Sequence, residues 1–174
     1  GTQVCGIIAA VQNNGVGISG VAPQAKILPL KVSREDGDTF TDETVAQAIV
    51  YAADSGAAVI NLSLGWNDSG AHQAVNDAIA YAADKGVILV AAAGNRRGPV
   101  WFPARLEIVL AVSAVDVNNR NIYSAYGPEL DLVAPGSGST IDDFILTTAM
   151  GGGYTFNKGT SFSAAMVSGV AALM

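Results

Sequence analysis

The sequence predicts an α/β domain with a mostly parallel, doubly wound sheet flanked by helices. Three observations carry this. Residues 57–64, 87–93 and 108–115 are near-continuous apolar runs, the form a parallel strand takes when both its faces are covered. Ahead of the first run, Val45, Ala48, Ile49 and Ala52 recur at helical spacing. Ahead of the second, Val75, Ala78, Ile79 and Ala82 do the same,. Strands that alternate with helices in this way are joined by crossovers, which pack back onto a parallel sheet with a right hand.

Each segment has its own reason. Residues 1–11 read as a mostly buried helix, with Val4, Cys5, Ile7 and Ile8 among small residues. Residues 12–20 form a polar, glycine-rich loop, for which Asn and Gly are ordinary turn residues. Residues 25–32 read as a strand in which Pro29 cannot donate to a ladder. Glu35, Asp36, Gly37 and Asp38 make an acidic turn. The helix over 42–55 is stopped by Gly56 and that over 71–85 by Gly86,. Residues 116–154 are loop-rich. From Ala164 to Met174 apolar residues occur on every face, which predicts a buried helix.

Composition narrows the function. Half of the 174 residues are hydrophobic and 14% are charged, so the chain can build a core rather than remain disordered. A net charge of −6 excludes the basic footprint that nucleic acid requires. No apolar run reaches membrane-spanning length without polar interruption. The single cysteine, Cys5, has no internal disulfide partner. It reads as a small core residue, with a catalytic thiol as the alternative. There is no repeat or linker, so residues 1–174 make one domain. The chain begins at Gly1 without a methionine and stops inside an apolar run at Met174. It therefore reads as an internal piece, incomplete at both ends.

The chemistry centres on Gly159-Thr160-Ser161. Gly159 permits a tight turn, and Ser161 falls in the first turn of the helix that follows. Free N–H groups and partial positive charge gather there. Its hydroxyl suits either a nucleophile or a helix cap. Asn95 follows Gly94 at the carboxyl end of an apolar strand, where open α/β sheets place their sites. Its amide can donate to a developing oxyanion without titrating; a plain Gly-Asn turn is the alternative. The only histidine, His72, lies at the start of a helix and reads as an exposed residue. A triad of Asp36 or Asp38, His72 and Ser161 is allowed by chain order alone.

Four stretches occur in order: Val59-Ile60-Asn61-Leu62-Ser63-Leu64-Gly65, Val90-Ala91-Ala92-Ala93-Gly94-Asn95, Gly127-Pro128-Glu129-Leu130-Asp131-Leu132-Val133-Ala134-Pro135-Gly136, and Gly159-Thr160-Ser161. Together they resemble the middle and end of a subtilisin-like serine protease catalytic domain, over essentially the whole chain. The family has Pro where Ala165 stands and often His where Met166 stands, and Phe162 replaces a smaller residue.

The resemblance implies a serine endopeptidase working through an acyl-enzyme on Ser161, with Asn95 as oxyanion donor. It implies a triad histidine immediately before Gly1 and an aspartate further upstream, so that residues 1–174 alone are inactive. Ser63, Leu64 and Gly65, with Ala92, Ala93 and Gly94, are implied to line the cleft for an extended polypeptide, and residues 37–40 an edge that pairs with it. A propeptide or protein inhibitor is implied as a further partner, and secretion as the location. No cofactor is required for the chemistry. Asn13 and Asn14 fall where the family wraps a structural calcium ion, with a plain turn as the alternative. A pseudoprotease that binds peptide segments without cutting them is the competing reading. Arg96, Arg97 and Trp101 fall on the loop beside the pocket for the residue before the cut. An inward Trp101 and a cationic rim imply small or acidic side chains there, with a solvated loop and Trp101 packed elsewhere as the alternative.

Overall fold

The computed structural model describes residues 1–33 and 39–174. In chain order the elements are α1 (Thr2–Ala9), α2 (Asp42–Asp54), β1 (Val59–Leu62), α3 (Gln73–Asp84), β2 (Ile88–Ala92), β3 (Leu110–Val115), β4 (Leu132–Pro135), β5 (Ile145–Thr148), β6 (Tyr154–Asn157) and α4 (Thr160–Ala171). Strands β1-β2-β3-β4 form a parallel sheet in that order. β5 and β6 form an antiparallel hairpin.

Alternation along each strand sorts side chains onto the two faces. Leu89, Ala91 and Ala93 join Ile60, Leu62 and Ala111 in a core with Val45 and Ile49 of α2 and Val75 and Ile79 of α3. Val90, Ala92, Val112 and Ala134 face the other way, onto Ala164 of α4. Helices thus cover both faces, as the apolar strands predict. The α2 start is fixed by a reciprocal cap: the Thr44 N–H donates to Thr41 Oγ1 and the Thr41 N–H to Thr44 Oγ1, with Asp42 and Glu43 in the favourable first turn. Gly56 and Gly86, both at positive φ, follow α2 and α3 as expected.

Three expectations change. Residues 25–32 join no ladder among the described residues; Pro29 lacks a donor, and Ile27, Leu28 and Leu30 are exposed. Helix α1 buries only Gly6, Ile7 and Ile8, packing against Phe162 and Ala165 of α4, so Cys5 is only half-buried. Helix α4 is buried over Phe162–Ala165 and at Ser168 and Gly169, whereas Val170 and, past its end, Leu173 and Met174 are exposed. The acidic turn and the triad candidates Asp36 and Asp38 lie outside the described residues, as does part of the 37–40 edge.

Candidate active site

Helix α4 enters the site through Gly159, whose φ of 146° is accessible to glycine and strained for other residues. The Gly159 N–H donates to Gly136 O at 2.8 Å, tying the turn to the end of β4. Ser161 is the second residue of the helix and is half-buried. Its N–H lies in the first turn, where helical N–H groups have no intrahelical acceptor. Its hydroxyl donates to Ser63 O at 3.3 Å, and the Ser63 hydroxyl donates back to Ser161 O at 2.9 Å. Asn61 Nδ2 donates to Ser63 Oγ at 2.9 Å, and Ser168 Oγ donates to Asn61 Oδ1 at 3.0 Å. This chain of polar groups fastens the buried face of α4 to β1. It gives Asn61, inside an otherwise apolar strand, its partners.

Asn95, three residues past the end of β2, meets the start of α4 at Thr160. Its Oδ1 accepts from the Thr160 N–H at 2.8 Å and from the Thr160 hydroxyl at 3.1 Å. Two donors on one atom assign the amide: the oxygen faces the start of α4, and Nδ2 makes no hydrogen bond among the described residues. Thr160 is fully buried and also accepts the Gly94 N–H at 3.3 Å. It thereby joins the β2 end to the α4 start. Sequence pattern does not single out Thr160; its one signal is a hydroxyl at the first helical position, facing a strand-end asparagine.

The expected cleft residues stand around this point. Ser63 is hydrogen-bonded to Ser161, and Leu64 is half-buried. Trp66 and Phe102 exchange backbone hydrogen bonds of 2.8 and 3.1 Å, and a Cβ on Gly65 would meet Phe102 O at 2.6 Å. Ala92, Ala93 and Gly94 are buried. Trp101 donates its N–H to Ala93 O at 2.9 Å and lays its indole on Gly94, where an added Cβ would come within 2.5 Å of the ring. Arg96 and Arg97 are exposed.

Comparison with known families matches residues 1–174, the whole chain, to the subtilase family. This chain is a subtilase. It is 45% identical over 179 residues to a thermophilic serine proteinase of Bacillus sp. (strain AK1), covering all of this chain and 42% of that protein. It is 44% identical over 179 residues to thermitase of Thermoactinomyces vulgaris, covering all of this chain and 60% of that protein. A solved protease of Pseudoalteromonas arctica superposes with a TM-score of 0.90 at 34% identity, over 98% of this chain and 56% of that one. The chain spans about half the length of these relatives.

One expectation for the subtilase is revised by its own geometry. His72 is not an exposed histidine: its side chain is 8% accessible. Nδ1 lies 3.0 Å from both Asp42 carboxylate oxygens and Nε2 lies 2.8 Å from Asp68 Oδ1. The ring stacks on Phe102 at 4.6 Å and lies tilted against Trp66 at 4.7 Å. Burial opposes its charge, but the bonds to Asp68 and Asp42 outweigh this and raise its pKa above the ordinary value. Asp68 is in turn lowered, by the Gly70 N–H first and then by His72. With both nitrogens engaged, His72 is a structural clamp, and no hydrogen bond joins it to Ser161. In the 12–20 loop Asn13 adopts a positive φ, and Asn14 Oδ1 accepts the Val16 N–H at 3.0 Å. No group of three or more His, Cys, Asp or Glu side chains among the described residues could hold a metal; the ligands expected of the 12–20 loop, Asn side chains and backbone carbonyls, are of another kind.

Proposed function

We propose that the complete subtilase is a serine endopeptidase in which Ser161 is the nucleophile and Asn95 the principal oxyanion donor. The observation that carries this is the double hydrogen bond from Thr160 to Asn95 Oδ1. It turns the amide so that Nδ2 makes no hydrogen bond among the described residues, at the turn that leads into Ser161, which supports a preorganised donor. Ser161 Oγ attacks the peptide carbonyl carbon and gives its proton to a histidine base. The oxyanion takes hydrogen bonds from Asn95 Nδ2 and the Ser161 N–H. The tetrahedral species collapses, the amine leaves with the proton, and water then cleaves the acyl-enzyme.

An unaided serine hydroxyl is a weak nucleophile. The only histidine here is held by Asp42 and Asp68, so residues 1–174 by themselves are expected not to turn over peptides. The family resemblance assigns the base to the residue before Gly1. An extended polypeptide would pair along Ser63, Leu64 and Gly65 and along Ala92, Ala93 and Gly94, with main-chain bonds giving affinity. A propeptide or protein inhibitor would use the same edges. Among the described residues no helix is long and apolar enough to cross a membrane; with the family resemblance, secretion is the location we infer. Calcium, if bound in the complete protein, would take only part of its ligands from the Asn13–Asn14 loop and would have a structural role.

The test compares complete wild type with Ser161→Ala and Asn95→Leu variants on an unselective peptide substrate. Both variants should lose turnover. For the oxyanion donor the reference magnitude, a loss of about 10²–10³-fold, is that of subtilisin, itself a member of this family. Normal turnover in Ser161→Ala would remove the assignment. Peptide binding by a wild type that does not cleave would favour the pseudoprotease.

A further inference from the structure

We propose that Trp101 occupies the subsite for the side chain just before the cut and restricts this subtilase to small residues there. The inference rests on the protease reading above.

The chemistry fixes where a substrate must lie. Its scissile carbonyl carbon has to reach Ser161 Oγ, with the oxygen turned to Asn95 Nδ2. The side chain of that residue branches from the next atom and projects onto the ground beside Ser161 and Asn95. That ground is the carboxyl ends of β1 and β2, Ser63–Gly65 and Ala93–Asn95. Each carries a glycine, Gly65 and Gly94, and absent side chains at such a point leave a slot.

The slot is already filled by the protein. A Cβ at Gly94 would stand 2.5, 2.6 and 2.7 Å from Cδ2, Cγ and Cδ1 of Trp101, and one at Gly65 would stand 3.7 Å from Trp101 Cβ. The indole thus takes the room that the glycines provide. It is also fixed. The Trp101 backbone N–H is bonded to Ala93 O, its carbonyl accepts the Arg105 N–H at 3.0 Å, and the adjoining Phe102 is bridged to Trp66. The side chain is half-buried and packs against the α2–α3 core. A large substrate side chain would have to displace it, whereas Gly, Ala or Ser would fit above it. Arg96 and Arg97 are exposed, so charge enters only as a rim effect that salt weakens.

The experiment uses the complete protein and peptides that differ only at this position, with Ala, Ser, Leu or Phe. Wild type should show kcat/KM at least about tenfold higher for Ala than for Phe. Trp101→Ala should reverse the order, and Trp101→Leu, which retains apolar packing, should fall between. Labelling of Ser161 by peptidyl phosphonates carrying Ala or Phe, read by mass spectrometry, should follow the same ranking. A wild-type preference for Phe, or an Ala-to-Phe ratio the same in wild type and in the variants that fold, overturns the proposal. If Trp101→Ala does not fold, the wild-type ratio and Trp101→Leu decide. Absence of both hydrolysis and labelling refutes the protease reading, and the inference falls with it.

Discussion

Replacing Thr160 with Val keeps the shape of the side chain and removes one hydroxyl. That hydroxyl accepts the Gly94 N–H at 3.3 Å and donates to Asn95 Oδ1 at 3.1 Å, in a position with no solvent access. The substitution therefore leaves a buried N–H without its acceptor, which costs about 1–3 kcal/mol. The long contact places it at the lower end. It also removes a neutral hydrogen bond with a net contribution of about 1 kcal/mol. The complete protein should lose roughly 2 kcal/mol of stability, measured as a lower urea midpoint at unchanged slope. Asn95 keeps the Thr160 N–H at 2.8 Å, so its amide loses one of two anchors. Turnover should fall by up to about tenfold, since tenfold corresponds to about 1.4 kcal/mol, and by much less than in Asn95→Leu. Thr160→Ser retains the hydroxyl and should recover most of both losses. Wild-type stability and turnover in Thr160→Val would refute the reasoning. So would a Thr160→Ser variant as impaired as Thr160→Val, because the methyl group rather than the hydroxyl would then be what matters.

Two further perturbations probe the walls of the site. His72 is raised above the ordinary histidine value of about 6.5,, so its contribution is complete below that pH and is lost as pH rises through the folded-state pKa. Stability measured by urea unfolding should decline in wild type as pH rises through that folded-state pKa, and His72→Gln should flatten this limb; an identical profile in both would refute the clamp. Gly94→Ala sets a side chain at a φ of 119° and against the Trp101 ring. It should cost about 1–3 kcal/mol from the backbone alone, and adding Trp101→Ala should recover only the part due to the ring contact, as a double-mutant cycle would report.

What the sequence disclosed, and what it withheld, follows the range of the interactions. Helices α2 and α3 and strands β1 to β3 were legible because period and burial are local signals, and Gly56 and Gly86 mark the helix ends. The expected strand over 25–32 showed apolar residues but not that no strand among the described residues pairs with it. Ser161 and Asn95 were legible as types at strand and helix ends. Thr160 was not, because its role depends on Asn95, 65 residues away. The placement of His72 depends on Asp42, 30 residues upstream, and on a left-handed backbone at the start of α3. A single histidine in a polar turn carries no local sign of either. Trp101 was legible as a candidate, but its direction was set only when Gly94 and Gly65 were seen to face it.

The central claim is that Ser161 forms the covalent intermediate on a helix start that also holds the oxyanion donor. The most direct measurement is rapid acid quench of the complete protein with a slowly deacylating peptide ester, followed by peptide mapping by mass spectrometry. The predicted result is an acyl group on the peptide containing Ser161, absent in Ser161→Ala and formed far more slowly in Asn95→Leu. Undiminished turnover in Ser161→Ala, or an acyl group on another residue, would contradict it.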